Sequence, residues 1–323
     1  MTLVKRNLLT GDSLYTLFHQ VMFLLTGLAT TLGTQWIFYH GAATGDSYLT
    51  QLAQYVGMVL VGLLIPTLKK NKEKNYKRIP QEENDTIQMS FVNTEEDKES
   101  GFQEGPIEHT SVMKLAVLDV FANFCVTLGF SIIGSGMYQV IYSSVVIWCA
   151  ILTFLLMNRK LATIQWVAIF GTSAGLAFSS LDSMNKKEGG GTLMFGTVMT
   201  MVGTFFYYYI MSKHNPPPLP ARVCFYSGIY NVIISIVWIG VYTLPRWDSM
   251  VNILPETTFV SVTQMYLLVI ISNALHAWNY YELIERTGSV ATGILQGLRA
   301  VCIYLISNAL YCKSDAAQCK LII

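Results

Sequence analysis

The chain has 323 residues, of which 52% are apolar and 13% charged, and its formal net charge is +1. Soluble domains carry about 25% charged residues, so this composition excludes an ordinary soluble protein and indicates a membrane protein. The near-neutral charge, without a basic patch among aromatic residues, argues against a nucleic-acid partner.

Nine apolar stretches follow one another along the chain, and each is long enough to cross a bilayer. A helix rises about 1.5 Å per residue, so about 20 apolar residues span the hydrocarbon core. These stretches predict an all-α polytopic membrane protein. The predicted helices are Leu14–Tyr39, Leu49–Leu68, Met113–Gly134, Met137–Met157, Leu161–Leu181, Thr192–Met211, Val223–Leu244, Phe259–Tyr281 and Thr287–Tyr311.

Lysine and arginine are concentrated on alternate connections, which predicts an orientation. With residues 1–13 as a cytosolic N-terminus, 15 Lys and Arg residues fall in cytosolic segments and 5 in outer loops, and Arg299 lies inside a helix. Segments rich in these residues stay on the cytosolic side of membranes. The cytosolic insert at 69–110 opens as KKNKEKNYKR and then turns acidic, so we expect it to be disordered.

Two short patterns bear on location. Tyr76-Lys77-Arg78-Ile79 fits a tyrosine-based sorting pattern in which Tyr76 and Ile79 are the key positions. It favours an endomembrane, either the lysosome or vacuole or the Golgi, over the plasma membrane. Cys312 and Cys319 would face a lumen or the exterior, where a disulfide can form; two free thiols are the alternative.

The connections between several predicted helices are short. Those at Gly134–Gly136, Asn158–Lys160 and Glu282–Arg286 contain only a few residues, so the helices that they join are expected to pack antiparallel as hairpins.

The two halves of the chain share a similar order of apolar segments. A shift of 154 residues places Asp119 on Asn273, and the two halves then begin on opposite sides of the membrane. We interpret residues 14–181 and 192–323 as an inverted repeat of two five-helix halves, with a substrate site near the midplane between them. On this interpretation nine helices are present, and the tenth is missing or truncated after Cys319.

Several stretches resemble the drug/metabolite transporter superfamily, which includes EamA-type carriers, nucleotide-sugar transporters and chloroquine-resistance-transporter-like proteins. They look closest to the F branch of solute carrier family 35. The stretches are GLATTLGTQW (Gly27–Trp36), QYVGM (Gln54–Met58), LAVLDVFANF (Leu115–Phe124), NRKLATIQW (Asn158–Trp166) and LQGLRAV (Leu295–Val301). The resemblance implies a ten-helix carrier. The chain departs from it in the missing tenth helix and at Tyr142, where related sequences carry a basic residue.

Two charged residues are predicted to lie well inside helices. Asp119 is about seven residues into the third helix, and Arg299 is about twelve into the ninth. A charge at the centre of a membrane helix costs about 2.5–3.5 kcal/mol, so such residues usually face a cavity or a partner. We expect both to line a substrate cavity, either paired with each other when it is empty or split to hold substrate. A structural ion pair is the alternative.

Polar residues at helical spacing accompany the two charges. Asn123 follows Asp119 by four residues, Gln296 precedes Arg299 by three, and Asn273 and His276 share a face. With Gln139 on the fourth helix, these residues are predicted to complete the substrate-binding set; hydrogen bonds that only hold the helices together are the alternative. His276 or Asp119 could couple transport to protons, since an imidazole changes charge near neutral pH; a buried histidine with satisfied hydrogen bonds is the alternative.

The sequence contains no nucleophile elbow, metal-ligand spacing, phosphate loop or paired carboxylates, so we do not expect an enzyme or a cofactor. The predicted function is transport of a small polar solute by alternating access. The expected partners are the small-molecule substrate and the lipid bilayer, and a homodimer is left open. The alternatives are a receptor or scaffold that signals through the insert, and an inactive, truncated regulatory form.

Overall fold

The computed structural model describes residues 11–76, 104–142, 166–167, 170–171 and 218–311. Every element in these ranges is helical. Six segments in them are long and apolar enough to cross a membrane, by length and composition: Leu14–Tyr39, Leu49–Lys70, His109–Ile132, Pro220–Met250, Phe259–Ile284 and Ala291–Tyr311. They match the first to third and seventh to ninth predicted helices, so this part of the prediction is confirmed. The fourth to sixth lie largely outside the described residues.

The helices are numbered in chain order. α1 is Gly11–Tyr39, and α2 is Leu49–Leu60, which continues through a 3-10 turn at Val61–Leu64 into α3, Ile65–Tyr76. α4 is His109–Tyr142, and α5 is Pro220–Trp238. A π-helical turn at Ile239–Thr243 and a 3-10 turn at Leu244–Arg246 lead to α6, Trp247–Met250. The last helix is α7, Phe259–Tyr311.

The helical segment α7 folds back on itself. Nη1 of Arg299 lies 2.9 Å from Nε2 of His276, although 23 residues of straight helix would separate them by about 35 Å. The chain therefore reverses between its two apolar spans, which we call the first arm (Phe259–Ile284) and the second arm (Ala291–Tyr311). This confirms the predicted antiparallel packing of the eighth and ninth helices.

One end of the bundle, which we call the insert end, carries Tyr15, Lys69, Glu104, Arg222 and Arg286. Glu104 forms a 2.9 Å salt bridge with Arg222, and Lys69 lines the same surface cavity as both. The guanidinium of Arg286 stacks over the ring of Tyr15 at 4.5 Å. Lys69, Arg222 and Arg286 thus lie at the same end of the bundle, as the charge pattern predicts. Whether this end faces the cytosol stays a prediction.

Glu104 also fixes the start of α5. Pro220 is suited to the first helical turn because its fixed φ matches the helix and its missing N–H needs no partner. The N–H of Leu219, one residue earlier, donates to Oε1 of Glu104 at 3.3 Å. A carboxylate is favourable beside the unsatisfied amides of a helix N-terminus. The last residues of the insert are thus attached to the start of α5.

The opposite end of the bundle is formed by residues 40–48 and 243–254. The N–H of Asn252 donates to the Gly41 carbonyl at 2.9 Å, and the Thr243 hydroxyl donates to the Ser47 carbonyl at 2.8 Å. Gly41 has φ of 67°, and a Cβ there would overlap the Asn252 carbonyl. The connection between α1 and α2 therefore packs against the turns that follow α5.

Glycines allow the spans to approach closely. A Cβ on Gly57 of α2 would lie 2.6 Å from the Ile270 carbonyl oxygen of α7, and one on Gly228 of α5 would lie 2.9 Å from Cβ of Met58. Small residues let helix backbones come together where lipid gives no hydrophobic driving force. As a result α2 is held between α5 and the first arm of α7.

Some predictions about connections need correction. Gly134–Gly136 was expected to be a loop, but it lies within helix α4 in the structure. The short connection predicted at Glu282–Arg286 is confirmed in part, because the chain reverses between Ile284 and Ala291, although these residues belong to the continuous helical segment α7. Asn158–Lys160 lies outside the described residues.

The insert is more ordered at its ends than predicted. Residues 69–76 continue α3, and residues 104–108 pack against α5 before α4 begins at His109. Tyr76 is the last residue of α3, whereas Ile79, Cys312 and Cys319 lie outside the described residues. The sorting pattern and the disulfide stay predictions.

Candidate functional site

A cavity of about 200 Å³ lies between the described spans. All six spans contribute to its wall, through residues such as Thr34 of α1, Gln51 of α2 and Ser227 of α5. Six of the seven residues that the sequence selected line it: Asp119, Asn123, Asn273, His276, Gln296 and Arg299. Their convergence is a finding, and their role in substrate binding stays a prediction.

The seventh selected residue, Gln139, lies on α4, and its side chain is outside the part of the chain that the structure describes. Its predicted place in the cavity is therefore untested. Tyr142, the position that departs from the resembling family, is the last residue of the same helix.

Arg299 is held on one wall of the cavity by the first arm of α7 and by α1. Its Nη1 donates to Nε2 of His276, whose Nδ1 lies 3.1 Å from the Phe23 carbonyl oxygen. A guanidinium can only donate, so Nε2 is the acceptor and Nδ1 carries the proton toward the carbonyl. The imidazole is neutral in this arrangement, and it stacks on the ring of Phe23 with the centroids 4.4 Å apart.

Gly27 makes room for this pair. A Cβ at this position would lie 2.6 Å from Cδ of Arg299 and 2.9 Å from Cε1 of His276. Any side chain larger than hydrogen would therefore displace the guanidinium or the imidazole. The close contact with Arg299 and His276 thus explains why the GLATTLGTQW stretch begins with a glycine.

Asp119 is held by α4 and α5. Its Oδ1 accepts a hydrogen bond from Nδ2 of Asn123, and its Oδ2 accepts one from Nδ2 of Asn231, both at 2.8 Å. Asn231 is fully buried, and it binds the carboxylate from a different helix. One amide donor on each oxygen fixes the orientation of the carboxyl group.

The two charged residues are held apart. Among the residues that the structure describes, Asp119 accepts hydrogen bonds from two asparagines, while Arg299 bonds His276, and the two side chains form no salt bridge with each other. The two charges are therefore separate in this structure, and neither direct pairing nor the alternative, a structural ion pair, joins Asp119 to Arg299.

Gln296 and Asn273 complete the selected set. Gln296 is buried, and its Oε1 has no hydrogen-bond partner in the described part of the chain. A buried acceptor without a donor is costly, so such groups commonly mark a place where water or a ligand binds. The Nδ2 of Asn273 instead donates to the Gln54 carbonyl at 2.6 Å, which joins α7 to α2.

A stripe of threonines on α1 was not selected from the sequence. Thr30, Thr31 and Thr34 line the cavity, and Thr30 bonds Ser272 across to α7 at 2.9 Å. The i,i+4 spacing of Thr26, Thr30 and Thr34 was the available signal. Gln51, which bonds Thr127, and Ser227 also line the cavity and were missed.

A second polar contact between α1 and α7 lies nearer the insert end. Nδ1 of His19 is 2.5 Å from Oδ1 of Asn279, and the ring of Trp278 packs edge-on against His19 with the centroids 5.1 Å apart. Asn279 thus contacts α1 and does not line the cavity, whereas the neighbouring Tyr280 does.

The described residues contain no group of three His, Cys, Asp or Glu side chains that could hold a metal ion. No protein-family model matches the chain, and no curated protein matches its sequence. The geometry of the cavity and the apolar spans therefore carry the functional argument.

Proposed function

We propose that this protein transports a small polar solute across a membrane by alternating access. The observation that carries the proposal is the convergence of Asp119, Arg299 and their polar neighbours on one cavity among apolar spans. Ionisable residues inside membrane segments are costly, and they commonly mark the path of a substrate or ion.

The distribution of polar groups supports a binding cavity over a purely structural network. Several helices contribute side-chain donors and acceptors, and one acceptor, Oε1 of Gln296, is left for a ligand. The cavity volume of about 200 Å³ is below the about 300–1,000 Å³ typical of pockets for drug-sized ligands, so we expect a small solute.

Alternating access requires two sets of helices that move against each other around the site. Here the site lies between α1 with α7 on one side, which hold Arg299, and α4 with α5 on the other, which hold Asp119. A rearrangement of these two pairs would open the cavity to one end of the bundle or the other. Each of these two pairs combines a helix from the first half of the proposed inverted repeat, α1 or α4, with a helix from the second half, α7 or α5.

The proposed setting is an endomembrane with the N-terminus in the cytosol. The charge bias supports this orientation, and the insert end would then face the cytosol. The pattern at Tyr76 supports the lysosome or vacuole, or the Golgi, over the plasma membrane.

The proposal is tested with the purified full chain in liposomes and a panel of radiolabelled small anions, cations, zwitterions and neutral polyols. We expect saturable uptake of at least one solute above that of protein-free liposomes, and we expect Arg299→Gln to reduce it at least tenfold. Uptake equal to protein-free liposomes across the panel would contradict transport and would favour a receptor or scaffold.

A further inference from the structure

The cavity contains both of the charges that lie deep in the predicted helices. Within the nine predicted helices, the Asp, Glu, Lys and Arg residues are Lys114, near the start of the third helix, Asp119 and Arg299. The fourth to sixth predicted helices contain no Asp, Glu, Lys, Arg or His. The sequence therefore supplies one deep carboxyl group and one deep guanidinium to this cavity.

These two groups both line the cavity, and each is held by other side chains and not by the opposite charge. Asp119 is fixed by Asn123 and Asn231, and Arg299 is directed by His276, whose imidazole is neutral. They lie on different helices and form no direct salt bridge. A negative and a positive centre are thus presented separately within about 200 Å³.

From this arrangement we infer that the preferred solute is a small zwitterion, with its anionic group at Arg299 and its cationic group at Asp119. The inference rests on the transport function proposed above, and it names the chemical class of the substrate. A guanidinium is suited to a carboxylate because its N–H groups form two parallel hydrogen bonds. An ammonium group offers three donors, which suit the carboxyl oxygens of Asp119.

Charge balance explains why one molecule should carry both signs. Opposite charges attract far more strongly in a medium of low dielectric constant than in water, and an uncompensated charge there is costly. A simple anion would be attracted to Arg299 but would bring like charge toward Asp119, and a simple cation would do the reverse. A zwitterion interacts favourably with both residues and leaves the net charge of the site unchanged.

Gln296 adds a further contact at the Arg299 side. It lies one helical turn before Arg299, it is only 7% exposed, and its Oε1 has no partner in the described part of the chain. An acceptor at this place is suited to a hydroxyl or N–H of the solute. The solute is therefore expected to carry a donor close to its anionic group.

The test uses the purified full chain and its melting temperature, because a ligand that binds the folded state raises it by mass action. The probes are glycine, 3-aminopropanoate, 4-aminobutanoate and 5-aminopentanoate, with the 2-hydroxy derivative of each longer acid. Each zwitterion is paired with the carboxylate that lacks the amine and the amine that lacks the carboxylate. We expect one chain length to stabilise best, at a half-saturating concentration at least tenfold below those of its two counterparts.

Charge-neutralising variants reverse the preference if the assignment is correct. Asp119→Asn should bind the matched carboxylate better than the zwitterion, and Arg299→Gln should bind the matched amine better. Arg286→Gln is the control, because Arg286 pairs with Glu282 at the insert end and does not line the cavity. It should keep the preference of the native protein.

The comparison of each zwitterion with its matched carboxylate and its matched amine uses the native protein. It therefore tests the zwitterion preference even if a variant fails to fold. A carboxylate or an amine that stabilises as well as its zwitterion would overturn the inference, and uptake of that ion by liposomes would leave transport standing. If no probe stabilises the protein, the zwitterion inference is wrong. Transport itself is then judged separately by the wider uptake panel.

Discussion

Gly27 and Arg299 lie in such close contact that a Cβ on the glycine would be 2.6 Å from Cδ and 2.8 Å from Nη1 of the arginine. Because Gly27 has only a hydrogen atom as its side chain, the guanidinium of Arg299 can lie against α1 and bond His276. The cavity thus depends on a residue that contributes no polar group. The relationship also ties the first span to the last one described.

The first prediction concerns this contact. Gly27→Ala should weaken binding of the transported solute at least tenfold, because the methyl group displaces Arg299 or His276. Uptake by liposomes measures the effect, with folding checked by the melting temperature. Gly240→Ala is the matched control, since a Cβ there meets no atom within 4 Å. Equal loss of uptake in both variants would contradict this role of Gly27.

The second prediction concerns the orientation of Asp119. Asn231→Leu removes the donor to Oδ2 and leaves a buried carboxyl oxygen unsatisfied, which should lower the free energy of unfolding by about 1–3 kcal/mol. Ser235→Ala, one turn along α5, removes a bond to the Asn231 carbonyl and leaves no carboxyl oxygen unsatisfied, so it should cost less than Asn231→Leu. Chemical denaturation in detergent compares the two. Similar values would show that Asn231 contributes only packing.

The third prediction concerns the attachment of the insert to α5. Glu104→Ala removes the salt bridge to Arg222 and the acceptor for the Leu219 N–H. Amide hydrogen exchange at residues 104–108 and at Leu219 should become at least tenfold faster, with little change in global stability, because Arg222 is partly exposed. Glu256→Ala at the opposite end provides the control. Unchanged exchange in Glu104→Ala would mean that other contacts hold the segment.

The fourth prediction concerns orientation. The sequon at Asn84-Asp85-Thr86 should stay unglycosylated in cells, because the insert is proposed to be cytosolic. A sequon introduced between α6 and α7 by the single substitution Glu256→Asn, which is followed by Thr257 and Thr258, should be glycosylated, because this exposed residue lies at the opposite end of the bundle. A mobility shift on glycosidase treatment measures both. Glycosylation of Asn84 would reverse the proposed topology.

The six described spans were predictable from the sequence because a membrane helix must be long and apolar whatever its neighbours are. Asp119 and Arg299 were predictable for the same reason, since a charge in such a helix requires a partner or a cavity. Their convergence with Asn273 and His276 follows from helical periodicity together with the antiparallel order of the spans.

Other features depend on contacts that a sequence does not display. Thr26, Thr30 and Thr34 each bond a carbonyl of the preceding turn, and this local satisfaction is available to threonine in any membrane helix. Which of them also reaches a cavity is decided by the packing of α1 on α7. Asn231 lies 112 residues from Asp119, so its hydrogen bond has no local signal. The Gly-Ser-Gly run at 134–136 resembles a turn, yet helical hydrogen bonding continues through it.

The central claim, an alternating-access carrier, is tested most directly by counterflow. Liposomes that contain the purified chain are loaded with an excess of an unlabelled solute from the panel and diluted into a trace of the labelled form. A carrier should produce a transient accumulation of label above its equilibrium level, and Arg299→Gln should abolish this overshoot while Arg286→Gln keeps it. Label that only approaches equilibrium for every transported solute, or never enters, would contradict the account.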